Sequence, residues 1–172
     1  MTEVISVVIT VYNSQESLPE LSFRLIKVLN SHDFDFELIF VDDGSRDDSW
    51  QVIKELAGSE QKITGIKLSA NFGQHNALFA GLKHANGTTI VTLDDDLQNP
   101  PEEIPALLTE LSHGFDLVYG TPTVRQHNTW RNIASRITLV SLMTVMGIRT
   151  PWRVSSFRAF KATLVDSFRD RG

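Results

Sequence analysis

Residues 88–102 read TTIVTLDDDLQNPPE, and the fold follows from what this stretch joins. Thr88–Leu93 is a short β-branched apolar run, the composition of a buried strand. Three carboxylates, Asp94, Asp95 and Asp96, come directly after it. The double proline Pro100–Pro101 then opens a segment in which Ile104, Leu107, Leu108 and Leu111 recur at helical spacing, up to Gly114.

The same order of strand, polar cluster and helix repeats along the chain. Strand-like runs lie at Val4–Tyr12, Phe36–Val41, Ile63–Leu68 and Phe115–Tyr119. Between them, Leu18, Leu21, Leu25 and Leu29 give one helical stripe, and Ala77, Phe79, Ala80 and Leu82 another. A further helix carries Trp50, Ile53 and Leu56; Ser45 is expected to cap it, with Asp48 at its third position as in a capping box. This alternation predicts an α/β fold, a mostly parallel central sheet with helices on both faces. The polar clusters YNS (12–14), DDGS (42–45), SANFGQ (69–74) and DDDLQ (94–98) each follow a strand. In a parallel sheet they share one edge, outside the carboxyl ends of the strands, where ligands of open α/β sheets bind.

The 172 residues, 41% apolar and 22% charged, suit one globular domain. There is no cysteine, hence no disulfide and no thiolate metal site. The first residues carry no basic n-region or small-residue cleavage site, so no signal peptide is expected. No stretch reaches the roughly 20 apolar residues of a spanning helix. The net charge of −5 conceals an asymmetry: residues 121–172 carry nine basic groups against two acidic ones, leaving −12 on residues 1–120. A cation is expected at the acidic part, and a phosphate or anionic surface at the basic one.

Adjacent unpaired carboxylates become tolerable when a divalent cation sits among them. Oxygen ligands without His or Cys point to a hard ion, Mg2+ or Mn2+, which keeps waters and bridges a carboxylate or two to substrate phosphates. Alternation along an extended segment would send Asp94 and Asp96 one way and Asp95 the other. Asp96 is then the expected metal ligand, with Gln98 next to it and Asp94 close to the substrate. The same residues also suit an acidic turn with a helix cap. In DDGS, Gly44 permits a tight turn, or a carboxylate accepts hydrogen bonds from a base or ribose. Tyr12 either stacks on a base or lies at the rim. Neither G-x-G-x-x-G after the first strand nor a Walker sequence is present, which removes the main support for dinucleotide and P-loop readings.

Taken together, VVITVYNS, FELIFVDDGSRDDS, SANFGQHNALFAGL, VTLDDDLQNPPEEIP and SSFRAF resemble family 2 glycosyltransferases of the GT-A fold. The likeness is greatest to the branch of dolichyl- and undecaprenyl-phosphate sugar synthases. It implies a metal-dependent, inverting transferase using a nucleotide-diphosphate sugar. It implies that Thr10, Tyr12, Asn13, Asp43, Asn71 and Asp94 bind the nucleotide sugar, with Tyr12 stacking and Asp43 on the base. Asp94, Asp95 and Asp96 form the catalytic cluster in this reading, and Asp96 and Gln98 hold the metal. The chain departs from the family at Ala70, where an Arg is common, and at Arg153–Ser156, where an acidic residue and Gly often precede FR. The Q-x-x-R-W motif of processive polymerases is absent.

Between Asp116 and Asp166 there is no Asp or Glu to act as base for a hydroxyl acceptor. A phosphate monoester needs none, being ionised at neutral pH. A polyprenyl phosphate is therefore the expected acceptor, with Arg125, Arg131 and Arg158 as its anion contacts. Alternatives are a saccharide hydroxyl in lipopolysaccharide, capsule or cell-wall synthesis, with Asp95 as one source of a base, and a non-catalytic nucleotide-binding module. The segment 129–148, with Trp130, Ile133 and Ile137 on one side, suits either a membrane interface or burial. Residues 1–120 are expected to form the nucleotide-sugar half and 121–172 the acceptor side of one domain. That domain is expected to continue past residue 172 and to work at the cytoplasmic face of the membrane, without nucleic acid.

Overall fold

A computed structural model describes residues 4–120 and 156–166. Along the chain run β1 (Val4–Val11), α1 (Leu18–Ser31), β2 (Asp35–Asp42), α2 (Ser49–Ser59), β3 (Ile63–Lys67), α3 (Gln74–His84) and β4 (Thr89–Asp94). A 3-10 turn at Pro101–Glu103 then leads into α4 (Ile104–Ser112), followed by β5 (Leu117–Tyr119) and β6 (Arg158–Lys161). The sheet order is β3-β2-β1-β4-β6-β5. Strands β1 to β4 are parallel, whereas β6 runs antiparallel between β4 and β5. Residues 156–166 therefore return to the sheet, and they belong to the same compact unit as residues 4–120.

Strand β1 lies at the centre, and its sequence VISVVITV shows why. Both faces are covered, so Val7, Val8, Ile9 and Val11 are all buried and the run is apolar almost throughout. One face meets α1, α2 and α4 through Leu18, Leu21, Leu25, Leu29, Ile53, Ile104 and Leu107. The other meets α3 through Ala77, which packs with Val8, Ile39 and Val41. Gly81 lets α3 come close: a Cβ there would stand 2.4 Å from Val8 Cγ1. Each fully buried leucine of α1 contributes about 2 kcal/mol of apolar burial.

Two local expectations are corrected. Helix α2 begins at Ser49 with Asp48 as its cap residue, and no side chain caps it. The Ser45 hydroxyl is instead taken by the Asn13 N–H, so the expected capping box does not form. Phe79, expected on the buried stripe of α3, is 42% exposed beneath the Lys83 ammonium.

The connections also locate the switch point. From β1 the chain moves outward through β2 and β3, then crosses back to place β4 on the other side of β1. Strand order reverses between β1 and β4, and a crevice opens beyond their carboxyl ends.

Candidate donor site at the carboxyl edge

Thr10, Val11 and Tyr12 at the end of β1, Asp43 after β2, Asn71, Gly73 and Gln74 before α3, and Asp94, Asp95 and Asp96 after β4 line one cleft of about 300 Å³. It sits at the switch point. All four expected loops thus meet, and they are held together by their own hydrogen bonds.

The first loop grips the second. Asn13, at φ 53°, donates its N–H to Ser45 Oγ at 2.9 Å and accepts the Arg46 N–H on Oδ1 at 2.8 Å. Ser14 N–H reaches Ser49 Oγ at 2.8 Å. The second loop grips the third through Asp43, which is 4% exposed. Its two carboxylate oxygens accept the N–H groups of Phe72 and Gly73 at 2.8 and 2.9 Å. Gly44 permits this approach: its φ is +69°, and a Cβ would lie 2.5 Å from the Ala70 carbonyl carbon. The third loop grips the fourth through Gln74, whose amide donates to Asp94 Oδ1. Asp95 closes the ring, its Oδ2 accepting the Tyr12 N–H at 2.9 Å and its carbonyl the Ser17 hydroxyl at 2.7 Å.

The acidic run is not one extended strand. Strand β4 stops at Asp94, and Asp95–Leu97 turn, with Leu97 at φ 57°. Asp94 and Asp95 do point to different partners, by the turn rather than by strand alternation. Asp94 Oδ2 accepts the Ser156 hydroxyl, so Asp94 is oriented from both the α3 and β6 sides. Asp96 is exposed and accepts a local bond from Gln98 N–H at 2.9 Å. Gln98 is exposed and is not among the residues lining the cleft. Burial pushes the Asp95 carboxyl above its ordinary value, against the opposing pull of the Ser14 hydroxyl and the Tyr12 N–H.

The described lining holds four carboxylates and no basic side chain. Among the described residues no three His, Cys, Asp or Glu side chains stand close enough to hold a metal alone. Asp94 and Asp96 nevertheless fit Mg2+ or Mn2+, which take hard oxygen donors and complete their shell with water and substrate phosphate.

Arg158 lies at the head of β6, where its Nε donates to Thr92 Oγ1 at 3.2 Å. Thr92 in turn donates to the Ser156 carbonyl. Arg158 is thus linked through two residues to Asp94. Arg125, Arg131 and the segment 129–148 fall outside the described residues. Gln74 stood at the end of the SANFGQ cluster without a role of its own, and Ser17 and Ser156 did not emerge from the sequence as parts of the site. Nor did the Arg24–Glu102 pair, in which Arg24 Nε donates to Glu102 Oε1 at 2.9 Å and ties the end of NPPE to α1.

The sequence matches the family model for glycosyl transferase family 2 over residues 6–168. The chain belongs to that family. It is 38% identical over 164 residues to the undecaprenyl-phosphate 4-deoxy-4-formamido-L-arabinose transferase of Pseudomonas fluorescens (strain SBW25), covering 95% of this chain and 48% of that protein. To the enzyme of that name from Enterobacter sp. (strain 638) it is 41% identical over 165 residues, 95% of this chain and 50% of that protein. The chain spans about half the length of the curated relatives it matches. Among solved structures, a mannosyltransferase from Pyrobaculum calidifontis in complex with GDP-Man and Mn2+ superposes with a TM-score of 0.66 at 19% identity, over 98% of this chain and 47% of that one. Glucosyl-3-phosphoglycerate synthase from Mycobacterium tuberculosis, with Mn2+, UDP and phosphoglyceric acid, gives 0.61 at 21% identity, over 95% and 57%. The chain has the expected GT-A fold, with one antiparallel strand, β6, in its sheet. Among the described residues no helix is long and apolar enough to cross a membrane.

Proposed function

We propose that this chain is the donor-binding catalytic part of an inverting glycosyltransferase that moves a sugar from a nucleotide-diphosphate sugar to a polyprenyl phosphate. The observation that carries the reading is the convergence of four carboxylates at the β1/β4 switch point in a family 2 chain. The acceptor class is supported by the undecaprenyl-phosphate transferases that this chain resembles over 95% of its length.

In this reading Tyr12, 42% exposed at the mouth of the cleft, stacks on the base. Asp43 keeps lone pairs for a base N–H, because its backbone bonds use one on each oxygen. Thr10, Asn13 and Asn71 flank the nucleotide. Asp94 and Asp96 hold a divalent ion, which when bound offsets the charge developing on the departing nucleoside diphosphate. Gln74 and Ser156 fix the Asp94 carboxylate in advance, so the site needs little reorganisation.

The acceptor's phosphate oxygen forms the new bond to the anomeric carbon as the bond from that carbon to the diphosphate oxygen breaks, and the nucleoside diphosphate leaves with the electron pair. No proton has to be removed, because the acceptor is already an anion. Arg158 is linked to the Asp94 side of the site through Thr92 and Ser156, and it is assigned to the acceptor phosphate. The work is assigned to the cytoplasmic face of a membrane, where such a lipid presents its phosphate.

Incubation of the protein with undecaprenyl phosphate, Mn2+ and single nucleotide sugars, read by mass spectrometry of the lipid fraction, tests this. A lipid-linked monosaccharide formed from one donor, and lost in Asp96→Asn, is the expected result. Release of the nucleoside diphosphate only when a saccharide replaces the lipid phosphate would overturn the acceptor assignment.

A further inference from the structure

The ring of bonds around the cleft closes at one residue whose part the reaction does not explain. Between the first and fourth loops, Asp95 accepts the Tyr12 N–H on Oδ2 at 2.9 Å and the Ser17 hydroxyl on its carbonyl at 2.7 Å. The two donors flank Asn13, a non-glycine residue at φ 53°. A backbone in that region persists where its surroundings over-determine it, and here Ser45 and Arg46 hold Asn13 while Asp95 holds Tyr12, the residue before it.

We propose that Asp95 is a positioning residue: by accepting the Tyr12 N–H it sets the base-stacking ring against the Asp94 and Asp96 carboxylates. It acts neither as a base nor as a metal ligand. This rests on the donor-site reading above. The physical distinction lies in what each role demands of the side chain. Accepting a backbone N–H requires an oxygen, which the Asn amide also supplies. Removing a proton or holding a cation requires the carboxylate itself. Asn and Ala at this position therefore separate the roles, since Asn keeps the oxygen and Ala removes it. The bonded oxygen of the Asp95 carboxylate faces the backbone of the first loop.

The test uses UDP, GDP, CDP and dTDP with Mn2+, taking the nucleotide that the wild type binds most tightly, against Asp95→Asn and Asp95→Ala. Amide hydrogen exchange at Tyr12 is followed in the same proteins without nucleotide. Asp95→Ala is expected to weaken nucleotide binding about tenfold or more, the cost of orphaning a positioned donor, and Asp95→Asn to stay within about threefold of wild type. Tyr12 exchange should accelerate in Asp95→Ala and remain slow in Asp95→Asn. Equal loss of binding in both variants, with Tyr12 exchange unchanged in each, would overturn the positioning role while leaving the donor site standing. A folded wild type that binds none of the four nucleotides would overturn the donor-site reading and this assignment with it.

Discussion

The sheet has a cleft at each end, and the larger one is not at the carboxylates. The amino-end cleft, about 400 Å³ and lined by Ile5, Phe34, Thr89, Leu111 and Lys161 among others, exceeds the carboxyl-end cleft of about 300 Å³. The one cation in its described lining, Lys161, already pairs with Asp116 at 2.8 Å. The carboxyl-end cleft gathers four carboxylates with no basic residue in its described lining, and binds them into a ring of loops. Depth records how elements pack, whereas function follows from charge left uncompensated and groups held in advance.

The largest effect separating the two ends is expected from Asp96→Asn. Loss of about a hundredfold or more in metal-dependent transfer should come with an unchanged melting temperature, because Asp96 is exposed and its bond among the described residues is a local one. Steady-state kinetics with a melting curve check it; a fall in stability matching the fall in rate would erase the contrast. Gly44→Ala is next. A Cβ placed 2.5 Å from the Ala70 carbonyl carbon at φ +69° should destabilise the protein by about 2–3 kcal/mol and spread the second and third loops. Urea denaturation measures this.

A smaller effect is expected outside the cleft, where Arg24 steadies the NPPE end. Hydrogen bonding from Arg24 holds the Glu102 carboxyl below its ordinary value of 4.5. A depressed folded-state pKa means that the contribution is present above the unfolded value and is lost as pH falls through the folded one. The side chains are 27% and 53% exposed, so solvent screening limits the pair to about 1 kcal/mol. Glu102→Gln should lower stability at neutral pH and flatten its dependence on the acid side, read from melting temperature against pH. The smallest effect belongs to the amino end: Lys161→Ala should leave nucleotide binding unchanged and cost at most about 0.5 kcal/mol. A marked loss of nucleotide binding there would break the distinction between the two clefts.

Strands β1 to β4 and the four helices were legible because their apolar periodicity is continuous and each polar cluster follows a strand. The meeting of Tyr12, Asp43, Asn71 and Asp94 followed from parallel topology alone. What escaped was pairing at a distance. Strand β6 has only four residues, and it joins β4 after a long basic stretch whose composition signals no strand. Ser45 reads locally as a cap, but the Asn13 N–H from another loop competes for its hydroxyl. Gln74 and Ser156 carry no periodic signal, since their roles depend on Asp94, which lies 20 and 62 residues away in the chain. Glu102 stood in the motif, yet its partner Arg24 sits on a helix 78 residues earlier.

Calorimetric titration of UDP, GDP, CDP and dTDP, with and without Mn2+, into the wild type and Asp96→Asn tests the central claim most directly. One nucleotide should bind the wild type only with the metal, and Asp96→Asn should lose that binding while remaining folded. Binding that is indifferent to both Mn2+ and Asp96, or no binding by the folded wild type, would contradict the assignment of the carboxyl edge as the donor site.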